Sequence, residues 1–125
     1  LLQQGAVISR PVAGQAGLGT LAGVRAAGTG TVVGVDIDGC VSNPDFCDLF
    51  LTSVEKRLDA AVFDTIKSVT DGTFAGGVYV GTLENGGVGI APYNEWAAKV
   101  PAELQAEVDD LRTRIAAGEL TVEAP

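Results

Sequence analysis

Thr31-Val32-Val33-Gly34-Val35 is a β-branched, almost wholly apolar run that stops at Asp36-Ile37-Asp38-Gly39. It is too short for a helix and lacks polar alternation, so it reads as a strand buried on both faces. Strands of that kind occur in parallel sheets covered by helices. The flanking segments agree. Ala6-Val7-Ile8-Ser9 reads as a shorter strand, and Leu18, Leu21, Ala22 and Arg25 fall at helical spacing before a stop at Gly28. A long loop follows Gly39, and Leu49 to Val54 reads as the next strand. Leu58, Ala61, Val62, Ile66 and Val69 mark one face of a helix from about Lys56 to Thr70. Gly77 to Leu83 and Val88 to Ala91 are expected to form a hairpin across Glu84-Asn85-Gly86-Gly87. Pro101 opens a last helix with Leu104, Val108, Leu111 and Ile115 as its stripe and Gly118 as its end, and Leu120-Thr121-Val122 is a closing short strand. Such alternation argues for an α/β fold, a mainly parallel sheet with helices on both faces.

Charge and residue usage narrow the function. Sixteen acidic against eight basic residues give −8, and the chain has no histidine. A field of that sign repels phosphate backbones, so nucleic acid is not an expected partner. The missing histidines remove the commonest general base and the commonest zinc ligand. No run approaches the ~20 apolar residues of a membrane span. Leu1-Leu2-Gln3-Gln4-Gly5 reads as the last turn of a helix with its C′ glycine, so the chain is expected to be the C-terminal part of a longer protein. Cys40 and Cys47 are the two cysteines, in one turn-rich stretch. They fit neither a closed zinc site nor a C-x-x-C redox pair. A disulfide between them, implying an oxidising compartment, is one reading, and two half-buried free thiols are the other.

In open α/β sheets ligands bind outside the carboxyl ends of the strands, and three segments stand there. The first is Pro11 to Gly19. Its Gly17-Leu18-Gly19-Thr20-Leu21-Ala22 has the outline of a dinucleotide fingerprint, with aspartates about twenty positions on. Several residues separate it from the strand at Ser9, however, and a turn needed only for packing is the alternative. The second segment holds Asp36 and Asp38, two apart and on one side if the strand persists that far. Either suits two sugar hydroxyls, or both are turn formers at a strand end. The third runs from Thr52 to Arg57, where Lys56 and Arg57 would open a helix at the end that disfavours cations. A ligand or a nearby carboxylate would offset them; the alternative is an exposed pair.

These segments, in this order, resemble the C-terminal half of the basic-membrane-protein family, the purine nucleoside receptor lipoproteins of ABC importers. Val12-Ala13-Gly14-Gln15-Ala16-Gly17-Leu18-Gly19 is similar to that family's V-A-G-G-T-G-x-G, and Gly34-Val35-Asp36-Ile37-Asp38 to its G-V-D-x-D. Leu51 to Asp59 resembles L-T-S-x-x-K-R-x-D, and Gly86 to Pro92 resembles G-G-V-G-L-A-P. The likeness runs from Leu1 to about Val122. Gln15 and Ala16 replace the usual Gly-Thr, Gly39 stands where glutamine is common, and the Cys40–Cys47 loop is not a general feature.

The resemblance implies a type I periplasmic-binding-protein fold, two α/β lobes joined by crossing hinge strands and closing on a nucleoside. Gly14 would offer a backbone contact, Asp36 would bind ribose hydroxyls, and Lys56 would reach the ribose near the hinge. Residues 1–54 and 75–125 would form the second lobe and hinge, with the helix at 55–74 packing on the missing first lobe. The expected function is a solute receptor, for a nucleoside and most naturally a purine, delivering to an ABC permease. It would be extracytoplasmic and lipid-anchored through the absent N-terminal half. No catalysis, cofactor or metal is implied. The alternatives are a ligand-sensing regulatory domain of the same fold and a dinucleotide-binding oxidoreductase domain.

Overall fold

The computed structural model describes residues 2–123. Eight regular elements follow in order: β1 (Ile8–Ser9), α1 (Leu18–Ala27), β2 (Thr31–Asp36), α2 (Gly39–Ser42), β3 (Phe50–Lys56), α3 (Leu58–Thr70), β4 (Val88–Ile90) and α4 (Ala102–Ala116). Short 3-10 turns punctuate them at Leu2–Gln4, Gly14–Gly17, Pro44–Leu49 and Asn94–Trp96. The strands form one sheet in the order β1-β2-β3-β4, with β1, β2 and β3 parallel. The chain divides into two compact units. One runs from the start of the chain to Glu55 and includes Ile90–Val100; the other holds Lys56–Gly89 and the chain from Pro101 on. The expected division set 55–74 apart, whereas here α3 shares its unit with residues 71–89 and with α4.

In the first unit, α1 lays Leu21 and Val24 onto Val32 of β2 and Phe50 of β3, and these four form the buried core. Leu2, Cys40, Phe46 and Leu49 pack around it. Gly28 ends α1 as the spacing predicts. Its φ of 65° is left-handed, which glycine adopts without a Cβ penalty, and its N–H reaches the carbonyls of Val24 and Arg25. On β2, Val32 and Gly34 are buried while Val33 and Val35 are half-buried. The expectation of burial on both faces is corrected to one fully covered face. Gly34 pairs with Ser53, and a Cβ on Gly34 would lie 2.4 Å from Ser53 Oγ. Only glycine permits that approach. Ser53 is itself fully buried, and its hydroxyl oxygen accepts the N–H of Gly39 at 2.9 Å.

The stretch from Gly39 to Leu49, expected as loop, folds into α2 and the 3-10 turn Pro44–Leu49. Asp38 starts α2 by accepting the N–H of Cys40 at 2.9 Å, and Pro44 opens the following turn. A Cys40–Cys47 disulfide, Cα to Cα 4.4 Å, staples the two together. Arg25 from α1 stacks over the Phe46 ring at 5.1 Å and pairs with Asp48 at 2.6 Å. Trp96 donates its indole N–H to the Asp48 carbonyl at 2.8 Å.

The second unit departs further from expectation. Gly77 to Leu83 and Leu120 to Val122 carry no strand hydrogen-bond ladder. Strand-like composition alone makes no strand without a partner for its backbone groups. Val78, 90% exposed, has little to pack against. The turn at 84–87 does form. Asn85 Oδ1 accepts the N–H groups of Thr82 and Gly87, and Asn85 Nδ2 donates to the Val80 carbonyl. On α3 the apolar stripe is left open, from 58% exposure at Val62 and Val69 to 69% at Leu58. Leu1, the first residue of the expected opening helix turn, lies outside the described residues. Gly5 closes that turn by donating its N–H to Leu2 at 3.0 Å.

Candidate functional site

The first unit brings two of the expected residues to the carboxyl end of its sheet. Gly14 opens the 3-10 turn that leads into α1, with φ 52°, a conformation that side chains disfavour. A Cβ there would meet nothing within 4 Å, so this glycine serves backbone geometry and not close packing. It lines a cavity of about 100 Å³ together with Pro11, Leu18, Ile37, Ser42 and Asn43. Val35 and Ile37, on either side of Asp36, also line it.

Asp36 is the last residue of β2 and is exposed. Its φ is 71°, and the N–H of Ile37 donates to the Val35 carbonyl at 2.9 Å. Together these make a γ-turn of positive φ, a rare and strained shape for any residue but glycine. The strand therefore ends there and does not persist to Asp38, so the idea that both carboxylates share one side of a strand is corrected. The side chains part company in role as well. Asp38 caps α2 and accepts the Asn94 amide on both carboxylate oxygens, at 3.2 and 3.1 Å.

Lys56 is the last residue of β3, and Arg57 is the N-cap of α3. The expectation that Lys56 opens the helix is corrected. The β2–β3 ladder runs on through Val35↔Val54 and Asp36↔Glu55, holding the chain extended to Lys56. The macrodipole conflict inferred for Lys56 therefore does not arise in that form. Gly14 and Asp36 belong to the first unit and Lys56 begins the second.

Among the described residues no group of three or more histidine, cysteine, aspartate or glutamate side chains is placed to hold a metal ion. No described helix is long and apolar enough to cross a membrane. Two features escaped the sequence reading. Asn94 meets Asp38 across 56 residues of chain, a contact with no local signal. Asp38 as an N-cap, followed by Pro44, was legible as helix-start chemistry and locates α2.

No protein-family model matches the chain. It is 35% identical over 94 residues to an uncharacterized lipoprotein of Pyrococcus abyssi, and equally to one of Pyrococcus horikoshii. The match takes in 71% of this chain and 22% of each relative, so the chain spans about a fifth of their length. Among solved structures it is similar to an ABC transporter system solute-binding protein of Aeropyrum pernix K1. The TM-score is 0.77 at 25% identity, over 99% of this chain and 42% of that one. A second ABC transporter system solute-binding protein, from Conexibacter woesei, gives 0.67 at 26% identity, over 98% of this chain and 39% of that one. The fold is thus that of ABC-transporter-type solute-binding proteins, and the chain is homologous to archaeal lipoproteins.

Proposed function

We propose that the chain is part of a solute receptor for an ABC uptake transporter and that its ligand is a nucleoside, a purine nucleoside by preference. The observation that carries this reading is Asp36. Asp36 stands on a strained turn at the carboxyl end of a parallel strand, and the residues on either side of it, Val35 and Ile37, line a cavity that Gly14 also lines. Strain of that kind is retained where a side chain must be presented in one orientation. A carboxylate is acceptor-only and matches two neighbouring hydroxyls, as on ribose. Gly14 offers backbone groups beside the cavity, and Lys56 contributes a cation to the sugar. Binding and release are the whole mechanism, with no bond made or broken in the ligand and no cofactor.

The open stripe of α3 fits a protein larger than this chain. Leu58, Val62, Ile66 and Val69 would be covered by the remainder of the receptor, its N-terminal half, each large side chain worth roughly 1.5–3 kcal/mol on full burial. In this reading the helix at 55–74 is the element through which the chain meets that half. The Cys40–Cys47 bridge and the lipoprotein relatives support an extracytoplasmic, lipid-anchored setting.

The test is calorimetric titration of the full-length protein with adenosine and guanosine. Asp36→Ala and Lys56→Ala are each expected to weaken binding at least about tenfold, the loss of one charge-assisted contact. Unchanged affinity in both variants overturns the site assignment, and a wild-type protein that binds neither nucleoside overturns the ligand class.

A further inference from the structure

Among the described residues two that are not glycine have positive φ, Asp36 at 71° and Asn94 at 42°. Both lie in the first unit, far apart in sequence, and Asp38 links them. Asn94 Nδ2 donates to Asp38 Oδ1 at 3.2 Å and Oδ2 at 3.1 Å, and to its own segment at the Pro92 carbonyl, 3.2 Å. Asp38 Oδ1 also accepts the Cys40 N–H, and its carbonyl accepts the N–H groups of Val41 and Ser42 at 3.1 and 3.0 Å. Asp38 is thus held on both sides, two residues from the strained turn.

On its upstream side the turn is held by the β2–β3 ladder, which pairs Asp36 with Glu55. Ile37 is 52% exposed, so packing supplies little. On the downstream side it is the polar contacts of Asp38 that hold the chain. Asn94 itself adopts a left-handed shape to make its contact, which asparagine tolerates better than most residues. Two strained positions joined through one carboxylate form a clamp.

We infer that Asp38 and Asn94 are positioning residues for Asp36. They hold its backbone in the strained turn so that its carboxylate meets a vicinal diol already oriented, and neither need touch the ligand. The inference rests on the reading of Asp36 as a ligand-binding group. Pre-organisation of this kind raises affinity by removing the cost of ordering on binding.

The experiment is a set of titrations of the full-length protein with adenosine and guanosine. Asn94→Ala is expected to weaken binding about three- to tenfold, within the range for one ordinary hydrogen bond, because the amide acts through Asp36 and not on the ligand. Asn94→Asp, which sets two carboxylates against each other, weakens it at least as much. The exchange variant Asp38→Asn with Asn94→Asp reverses donor and acceptor, and asparagine still caps α2. It is expected to restore affinity to within about twofold of wild type, a coupling that distant, independent sites do not show. In an Asp36→Ala background, Asn94→Ala is expected to have no further effect, whereas a general loss of structure would persist there. If Asp36→Ala weakens binding and Asn94→Ala does not, the clamp is refuted and the site stands. If Asn94→Ala weakens binding equally with and without Asp36, positioning is refuted. If Asp36→Ala has no effect, the site reading fails and the inference falls with it.

Discussion

Replacing Gly39 by alanine drives a methyl group into the Phe50 ring. The added Cβ would stand 2.5 Å from Cδ1 and Cε1 and 2.6 Å from Cγ, where carbon–carbon contacts settle near ~3.5–4.0 Å. Relief requires the ring to retreat by about 1 Å. Phe50 is buried among Leu21, Val24 and Val32, and close-packed interiors do not yield that space freely. Overpacking of this degree costs roughly 1–3 kcal/mol, set against at most ~1 kcal/mol returned by alanine's helix propensity. The net expectation is destabilisation by about 1–2 kcal/mol, several degrees in melting temperature. Gly23 is the matched control. It is also helical, it is exposed in α1, and an added Cβ there meets nothing within 4 Å. Gly23→Ala is therefore expected to stabilise by about 0.5–1 kcal/mol. Urea unfolding followed through Trp96, the chain's single tryptophan and a member of the same unit, reads both variants. Midpoints moving in opposite directions at equal slope support the packing argument. A Gly39→Ala midpoint at or above wild type refutes it.

Two further outcomes follow from the same structure. Removing the Cys40–Cys47 bridge, by reductant or by replacing both with serine, is expected to cost about 2–3 kcal/mol because the loop it closes is short, and an unchanged urea midpoint for the first unit would contradict this. The isolated chain is expected to self-associate through the open stripe of α3, as light scattering across a concentration series would show; Val62→Glu with Ile66→Lys should suppress it, and a wild-type monomer at all concentrations would count against the stripe.

What was legible in the sequence follows from how local each signal is. α1 and α4 were readable to within a residue or two because their stops, Gly28 and Gly118, act through their own backbone, each at positive φ. β2 was readable from its β-branched run. Residues 77–83 were misread because alternation and β-branching describe a strand only when another strand accepts its hydrogen bonds. The same dependence misplaced Lys56. Where β3 ends is set by its register with β2, which runs through Asp36↔Glu55, and no residue near Lys56 announces that distant pairing. The short helices after Gly39 are the opposite case. Their start signals, Asp38 and Pro44, are present and local, but a four-residue helix leaves no periodicity to separate them from turn formers.

The two aspartates at the end of β2 show how structure separates residues that sequence leaves equivalent. Asp38 has both carboxylate oxygens engaged by Asn94, and one of them by Cys40 as well. A ligand taking those positions would leave the end of α2 and the Asn94 amide to find other partners, so the carboxylate of Asp38 is poorly suited to a binding role. Asp36 breaks a local rule, for its backbone occupies a region in which glycine would be favoured by about 1–3 kcal/mol. Sequences that fold well agree with themselves at every level, and the exceptions gather where function asks for something folding does not. Replacement of Asp36 by glycine would then stabilise the first unit while removing the carboxylate on which binding depends, so stability and affinity would move in opposite directions at a single position.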